Sequence, residues 1–521
     1  MSLPESVNKI GTAAFQDCAN ETFTLPEAIT AIPNNLFNSC KNLHTVTLGN
    51  GITSIGTSAF ASCSALVSLR VAENQDTPSD AAQRTAAEST GLAFPATLKS
   101  IGSYAFQKCT SITSVSIPEN VTTVSPNAFQ DCTGLVEAEL PNSIKSGPNN
   151  LFQGCSNLQK VTLGNALTSI GQNMFRDCAS LEYLAVRGTE TGDGVAAFSL
   201  PSTLKTIGTW AFANCKKIKS VIIPEGVTSI GANDFDGCSA LESVKLPSKL
   251  TSIGNYAFRN TLVKELVLPA SVGNMSYTSD ILYGCPDGAT VYVCNTGNPK
   301  TAGSNLWRMA TGKYAAVMVP VGLKEKYASA SGWKNSTVTE AEISSLDYSL
   351  TIDNTATDEV SIMVNAAYVF GGELPEAFEA ANNEVLFSDN TSYFFHYREK
   401  ETHENDSPAP AAAEEDTFTT TGLLLDSDGC GTFTMARPFT TTVYEVKVLG
   451  RHPSGTVETE PKTVTVTGND VLTGVESVAD ADIAGTRVFT LDGTEVNADG
   501  ALEPGIYILV RGGKTSKIIV R

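Results

Sequence analysis

Apolar and polar positions alternate in one recurring frame along the first 285 residues. Leu158, Val161 and Leu163 fall on one side of a short stretch, and Lys160 and Thr162 on the other. That period of two marks a half-buried strand. Gly164-Asn165 then turns the chain; sister units place Pro118, Pro141, Pro224, Pro247 and Pro269 there, and proline ends a strand by removing a donor. Thr168-Ser169-Ile170-Gly171 leads into a short helical or 3₁₀ turn, with Met174 and Phe175 expected to close the core on the far side. Each unit ends on Phe-x-x-Cys. The pair stands at Phe15/Cys18, Phe37/Cys40, Phe60/Cys63, Phe106/Cys109, Phe129/Cys132, Phe152/Cys155, Phe175/Cys178, Phe212/Cys215 and Phe235/Cys238. The commonest step between these cysteines is 23 residues, and Cys63 to Cys109 is two such steps. A fixed period in the twenties marks a solenoid, because neither strand nor turn can bury its apolar side alone. The expected fold is mainly β with short helical or 3₁₀ turns, about 11 rungs stacked over residues 1–295.

The frame frays in a few places. The first rung is one residue short and puts Phe23 and Leu25 in its strand, Asn260 is taken to replace an anchor cysteine, and the last rung keeps Cys285, Val291 and Val293 without the phenylalanine. One insertion runs from Ala72 to Phe94 and another from Arg187 to Leu200, both just after a strand. Four rungs apart, they are expected to emerge along one edge about 20 Å from each other. Loops on one face of a solenoid are often binding devices, and the first insertion reads equally as a decayed repeat.

Beyond the array, residues 296–345 read as its cap, with a final strand at Ala315–Val319 and Tyr327 and Trp333 covering the apolar end. Residues 346–470 lose the 23-residue period and show alternating strands, clearest at Tyr348–Ile352, Val360–Val364, Tyr393–Tyr397, Leu423–Leu425, Val443–Leu449 and Thr463–Val466. This spacing fits a β-sandwich of immunoglobulin or fibronectin type III style. Glu399–Asp416 reads as a polar loop, and Asp426-Ser427-Asp428-Gly429 as a plain turn in place of a calcium loop. Residues 471–521 form a small C-terminal β-domain.

Repeats such as Ile101-Gly102-Ser103-Tyr104-Ala105-Phe106-Gln107-Lys108-Cys109 and Ile253-Gly254-Asn255-Tyr256-Ala257-Phe258 resemble the BspA-like, Treponema-type leucine-rich repeats of bacterial surface proteins. The resemblance implies adhesion to proteins of host or bacterial surfaces. The tail reads Val488-Phe489-Thr490-Leu491-Asp492-Gly493, then Leu502-Glu503-Pro504-Gly505-Ile506-Tyr507, then Lys514 to Arg521. It resembles the C-terminal sorting domain of the type IX secretion system of Bacteroidetes. That likeness implies contact with the secretion machinery, export across the outer membrane, and surface anchoring or release; the alternative is a small β-meander packed on the sandwich. No export signal is visible, since Met1-Ser2-Leu3-Pro4 enters the pattern in mid-repeat, and the start is read as trimmed.

Charge and cysteines narrow the chemistry. With 55 acidic against 35 basic residues the formal charge is −20, the wrong sign for counterion release on a nucleic-acid backbone. No apolar run is long enough to span a membrane. Ten of the 12 cysteines (those of the nine pairs, and Cys285) share one rung position. A column with a spacing of about 5 Å leaves them as buried thiols, since a disulfide wants Cβ atoms about 4 Å apart. A Cys285–Cys294 bridge stays open. No C-x-x-C or Cys/His pairing points to a metal or other cofactor. His44, His396, His403 and His452 stand apart from any nucleophile motif, and Gly512-Gly513-Lys514-Thr515 is no phosphate loop because position 508 is Ile. No catalytic residue is assigned, and no enzyme is expected.

What remains is a surface. The outward strand positions form a concave sheet rich in Ser and Thr, on which Arg70, Glu137, Glu139, Lys160, Tyr183, Lys245 and Tyr292 are the candidate ligand-binding residues. Such a face fits a broad protein or glycan contact better than a small-molecule pocket. The rival expectation is a structural spacer with no ligand of its own.

Overall fold

Each 23-residue unit contributes one short strand, and equivalent residues lie side by side in parallel register. Lys160 pairs with Glu137 on one side and Tyr183 on the other, with Val161 matched to Ala138 and Leu184. The inward residues of this ladder, among them Val46, Leu69, Val161 and Leu163, are buried. The Ser-Ile positions form a second parallel ladder, as in Ser54–Ile55 against Ser100–Ile101 and then Thr123–Val124. The result is a β-solenoid of about 12 turns.

The fold is a computed structural model that describes residues 1–72, 91–188, 198–273, 275, 280–300, 303, 305–309, 311–353, 355–356, 359–388, 392–399, 419–423, 425–426, 429–436, 442–452, 455–466, 487–490, 495–496, 505–511 and 514–520. The chain divides into two compact units, residues 1–341 with 373–382, and residues 342–372 with 383–521.

The back of each turn explains the Phe-x-x-Cys motif. Two residues per motif take positive φ, for example Asn127 (64°) and Asp131 (57°), or Asn150 (55°) and Gly154 (75°). Asn, Asp and Gly tolerate that left-handed conformation, and they recur at those positions. Between them run i→i+3 bonds, such as Gln130 N–H to Asn127 O at 3.1 Å and Cys132 N–H to Phe129 O at 3.4 Å. These are 3₁₀-type bonds that the positive φ keeps from propagating into a helix. The phenylalanine N–H instead reaches the neighbouring turn, as from Phe129 to Leu151 O at 3.1 Å.

The phenylalanines stack in a column. Ring centroids lie 5.2 Å apart from Phe60 to Phe106 and from Phe106 to Phe129, and 5.9 Å from Phe129 to Phe152. From Cys40 onward, each anchor thiol donates to the carbonyl of the preceding turn's phenylalanine, Cys132 to Phe106 O at 3.0 Å and Cys155 to Phe129 O at 3.1 Å. A small apolar side chain with one weak donor suits this buried place. Thr261 takes the anchor position after Phe258: it is buried, and its hydroxyl donates to Phe258 O at 2.8 Å. Asn260, expected there, instead holds the positive-φ corner at 57°. Phe15 and Cys18, in the first turn, are only half-buried.

All 12 cysteines are free thiols. Cys285 donates to Phe258 O and Cys294 to Ala377 O, so they are not bridged to each other. Burial pushes the thiols of Cys109, Cys155, Cys178, Cys215 and Cys238 above the ordinary range, which keeps them protonated and unreactive. Alkylation in denaturant without reductant is expected to label all 12, and a largely blocked set would contradict the column.

Strands Ala316–Val319 and Val338–Glu340 extend the parallel sheet to its end. Trp307, Tyr327 and Trp333 are buried there, with Trp333 lying 5.7 Å from Trp307 and 5.0 Å from Tyr327. The Trp333 indole donates to Lys300 O at 2.8 Å. The last part of this unit comes from residues 373–382, the start of a helix at Glu376–Ser388.

The second unit is antiparallel. Strands Ile343–Asp353, Glu359–Phe370 and Cys430–Ala436 make one sheet. Thr419–Leu423, Ser392–Glu399, Thr442–His452, Gly455–Glu458 and Lys462–Val466 make another. Their inner faces meet where Phe395 stacks on Phe433, centroids 4.5 Å apart. A further sheet orders Glu495–Val496, Arg487–Thr490, Gly505–Arg511 and Lys514–Val520. The loop expected at Glu399–Asp416 lies almost wholly outside the described residues. The helix Glu376–Ser388 has no counterpart in the strand pattern, although Pro375 ahead of Glu376 and a run of good helix formers mark its start.

Candidate binding surface

The strand face gathers some of the candidate residues and separates others. Glu137, Lys160 and Tyr183 occupy one row of three consecutive strands, about 4.8 Å apart per step, and all are exposed. In the adjacent row lie Glu139, Thr162 and Ala185. Tyr183 is 50% exposed, on the edge strand of this sheet, where it pairs with Lys160 on one side. Arg70 and Lys245 are exposed but belong to strands Ser68–Val71 and Ser243–Lys245, outside this group. Tyr292 does not face solvent. It is 7% exposed because Phe378 lies over it at 5.3 Å.

Around this group lie two outward strand residues, Ser116 and Thr162, and two residues missed by the sequence reading, Arg187 and Ile222. Arg187 reaches back across the face, its guanidinium 3.0 Å from Glu119 and 3.7 Å from Glu139. Ser116 also donates to Glu139 at 2.9 Å. Thr162, an outward residue of the strand between Glu139 and Ala185, is left only 4% exposed. Ile222, 62% exposed, is the most open large apolar side chain of the described residues and pairs in register with Lys245. Arg187 was read as the start of an insertion, and Ile222 breaks the alternation of Ser220-Val221-Ile222-Ile223; neither spacing nor type announced a surface role. The tips of both insertions, 73–90 and 189–197, lie outside the described residues.

The back carries rung-to-rung polar contacts instead. Arg259 is paired bidentately with Asp236, one bond measuring 2.9 Å, and its guanidinium lies 4.5 Å from the Tyr256 ring. Arg308 bonds Asp280 at 3.0 Å and covers Tyr283 at 5.2 Å. Arg176 covers Trp210 at 4.8 Å. These aromatic faces already hold cations, so this side offers less open ring surface than Tyr183 does. Asp234 is fully buried where neighbouring turns have Ala211 and Ala257; burial pushes its carboxyl up to about 8 against the pull of backbone donors, Gly231 N–H first. Among the described residues no three His, Cys, Asp or Glu side chains are placed to hold a metal ion, and no helix is long and apolar enough to cross a membrane.

The family model of the BspA type leucine rich repeat region matches in 6 copies, over residues 1–82, 80–199 and 191–287. This chain belongs to the BspA-type leucine-rich repeat family. Among solved structures, the BspA-type chain is similar to a leucine-rich repeat protein from Bacteroides ovatus, at 21% identity over 65% of this chain and 91% of that one, with a TM-score of 0.37. It is similar to the pneumococcal vaccine antigen PcpA at 18% identity, over 66% and 89%, with a TM-score of 0.35. A leucine rich cell surface protein from Faecalibacterium prausnitzii matches at 21% identity, over 49% and 83%, with a TM-score of 0.24. No curated protein matches this BspA-type chain. Stacked repeats of this family generally bind or scaffold and are not generally enzymes.

Proposed function

We propose that the chain is a non-enzymatic binding protein of the cell surface or the surrounding medium, whose strand face engages a protein or glycan on host or bacterial surfaces. The observation that carries this is Tyr183, half exposed on an edge strand, with Lys160 and Glu137 in the same row. Tyrosine flanked by charge is typical of the residues that dominate interface energies. The patch is shallow and continuous, which suits a macromolecule more than a small substrate. In this reading the two antiparallel sheets of the second unit form an immunoglobulin-like stalk. The C-terminal strands serve as the sorting signal that the tail's resemblance implies.

The test is binding of the intact chain to immobilised matrix proteins, a glycan array and whole bacterial cells. Replacing Tyr183 and Lys160 together by alanine is expected to weaken any binding at least tenfold, about 1.4 kcal/mol or more. Because both side chains are exposed, circular dichroism should not change. Full retention of binding by the double variant would remove this face from the proposal. Absence of binding by the intact chain would leave a spacer.

A further inference from the structure

We infer that the first insertion is a wedge: it adds a strand to the front of the solenoid without adding a turn to the back, and so opens the strand face at that point. Residues 72–94 amount to one 23-residue period, with Leu92 and Phe94 standing 23 positions before Val115 and Ile117. The same count puts Gln83 and Ala86 where Phe106 and Cys109 stand in the next turn, so the segment has strand residues but no back anchors.

The backbone pairing agrees. On the front, Leu92 is bridged in parallel to Leu69 on one side and Val115 on the other. Ala93 N–H donates to Leu69 O at 3.0 Å and Leu92 N–H to Ser114 O at 3.3 Å. On the back nothing intervenes: Ser54–Ile55 pairs directly with Ser100–Ile101, Phe60 N–H donates to Ala105 O at 2.8 Å, and the Phe60 and Phe106 rings stack at 5.2 Å. Two strand spacings on one side therefore face one on the other. Phe94 fills the space behind, its ring edge-on to Phe106 at 6.0 Å. Gly91 fits the close approach, since a Cβ there would lie 2.3 Å from the Ser114 hydroxyl and force it to rotate away.

The second insertion shows one side of the same pairing. Phe198 is bridged in parallel to Leu184 and stands edge-on to Phe212 at 5.5 Å. Behind it Phe175 and Phe212 stack directly at 5.4 Å, and Ser169–Ile170 pairs with Thr206–Ile207. At the first insertion, an extra spacing of about 4.8 Å across a depth of about 10 Å turns the face outward by roughly 25°. The strands that carry Glu137, Lys160 and Tyr183 lie between the two insertions. The device stands on backbone pairing and does not depend on what the face binds.

The test is pulsed electron resonance on the full chain in a Cys18→Ser, Cys430→Ser background, with nitroxides on two pairs of introduced cysteines. Thr22→Cys with Lys160→Cys spans six front spacings, about 29 Å, and Gln16→Cys with Gln153→Cys spans five back spacings, about 24 Å. Deleting residues 72–94 is expected to shorten the front distance by about 5 Å and leave the back distance unshortened. Equal shortening of both, or no change in the front pair, would overturn the wedge. Hydrogen exchange on the undeleted chain tests it even if the deletion does not fold. The Ala93 amide should be protected at least a hundredfold, and exchange at the rate of an open loop would overturn the inference.

Discussion

Replacing Phe129 with alanine should lower the unfolding free energy by about 3–5 kcal/mol, the range for truncating a fully buried aromatic. The upper half of that range is expected. Phe129 is wholly buried and held between Phe106 at 5.2 Å and Phe152 at 5.9 Å, so the variant loses two ring contacts as well as its own burial. The cavity has little chance to collapse, because hydrogen bonds to both neighbouring turns fix the backbone around it. In a stack each turn is supported only by its neighbours, so the loss should also reduce cooperativity. Urea unfolding read from tryptophan fluorescence is well placed to report it, since Trp210, Trp307 and Trp333 all belong to the first unit. A change below about 1 kcal/mol would mean that the ring is not interior. The equivalent change at half-buried Phe15 should cost less.

The second large effect is a slope with pH. Asp234 is held near pKa 8 in the folded chain by burial, against an unfolded value of 3.8. The folded state therefore keeps a proton that the unfolded chain releases. Its contribution is fully favourable below pH 4, declines steadily as pH rises, and levels off above about 8. A difference of that size corresponds to a few kcal/mol, of order 5, across the window. Asp234→Ala restores the residue that Ala211 and Ala257 occupy in the adjacent turns. It is expected to unfold at higher urea than the parent at pH 8 and to show little advantage at pH 4. Subtracting the two proteins cancels the other carboxylates. Parallel pH dependence in both would mean that Asp234 is ionised throughout. Asp234→Asn, which can still accept from the Gly231 N–H, should also remove the slope.

Much of this architecture could be read from the chain because stacking leaves few alternatives. Phe129, Phe152 and Phe175 repeat at 23 residues, so one rung's inward side chains predict those of its neighbours. The thiol column was legible for the same reason. What could not be read was anything set by a contact between distant segments. Tyr292 looked like an outward strand residue, and only the helix beginning at Glu376 shows that Phe378 covers it. Arg187 lies 48 residues from Glu139 in sequence, and no local pattern links them. Thr261 was passed over for Asn260 because asparagine is a residue that leucine-rich repeats tolerate at the anchor, whereas the positive φ at position 260 fixes the register. The first insertion was open between loop and decayed repeat. Its length of one period was visible, but the double pairing of Leu92 was not.

The column of thiols bears on how the chain meets an oxidant. Once stacked, the sulfurs from Cys40 to Cys238 are screened from peroxide and their S–H groups are engaged with a carbonyl one turn away, so that part of the array should survive an oxidising medium unchanged, with half-buried Cys18 the exception. The newly made chain has no such shelter, and its evenly spaced sulfurs invite wrong crosslinks. Its cysteines stay reduced only if the turns close before oxidation reaches them.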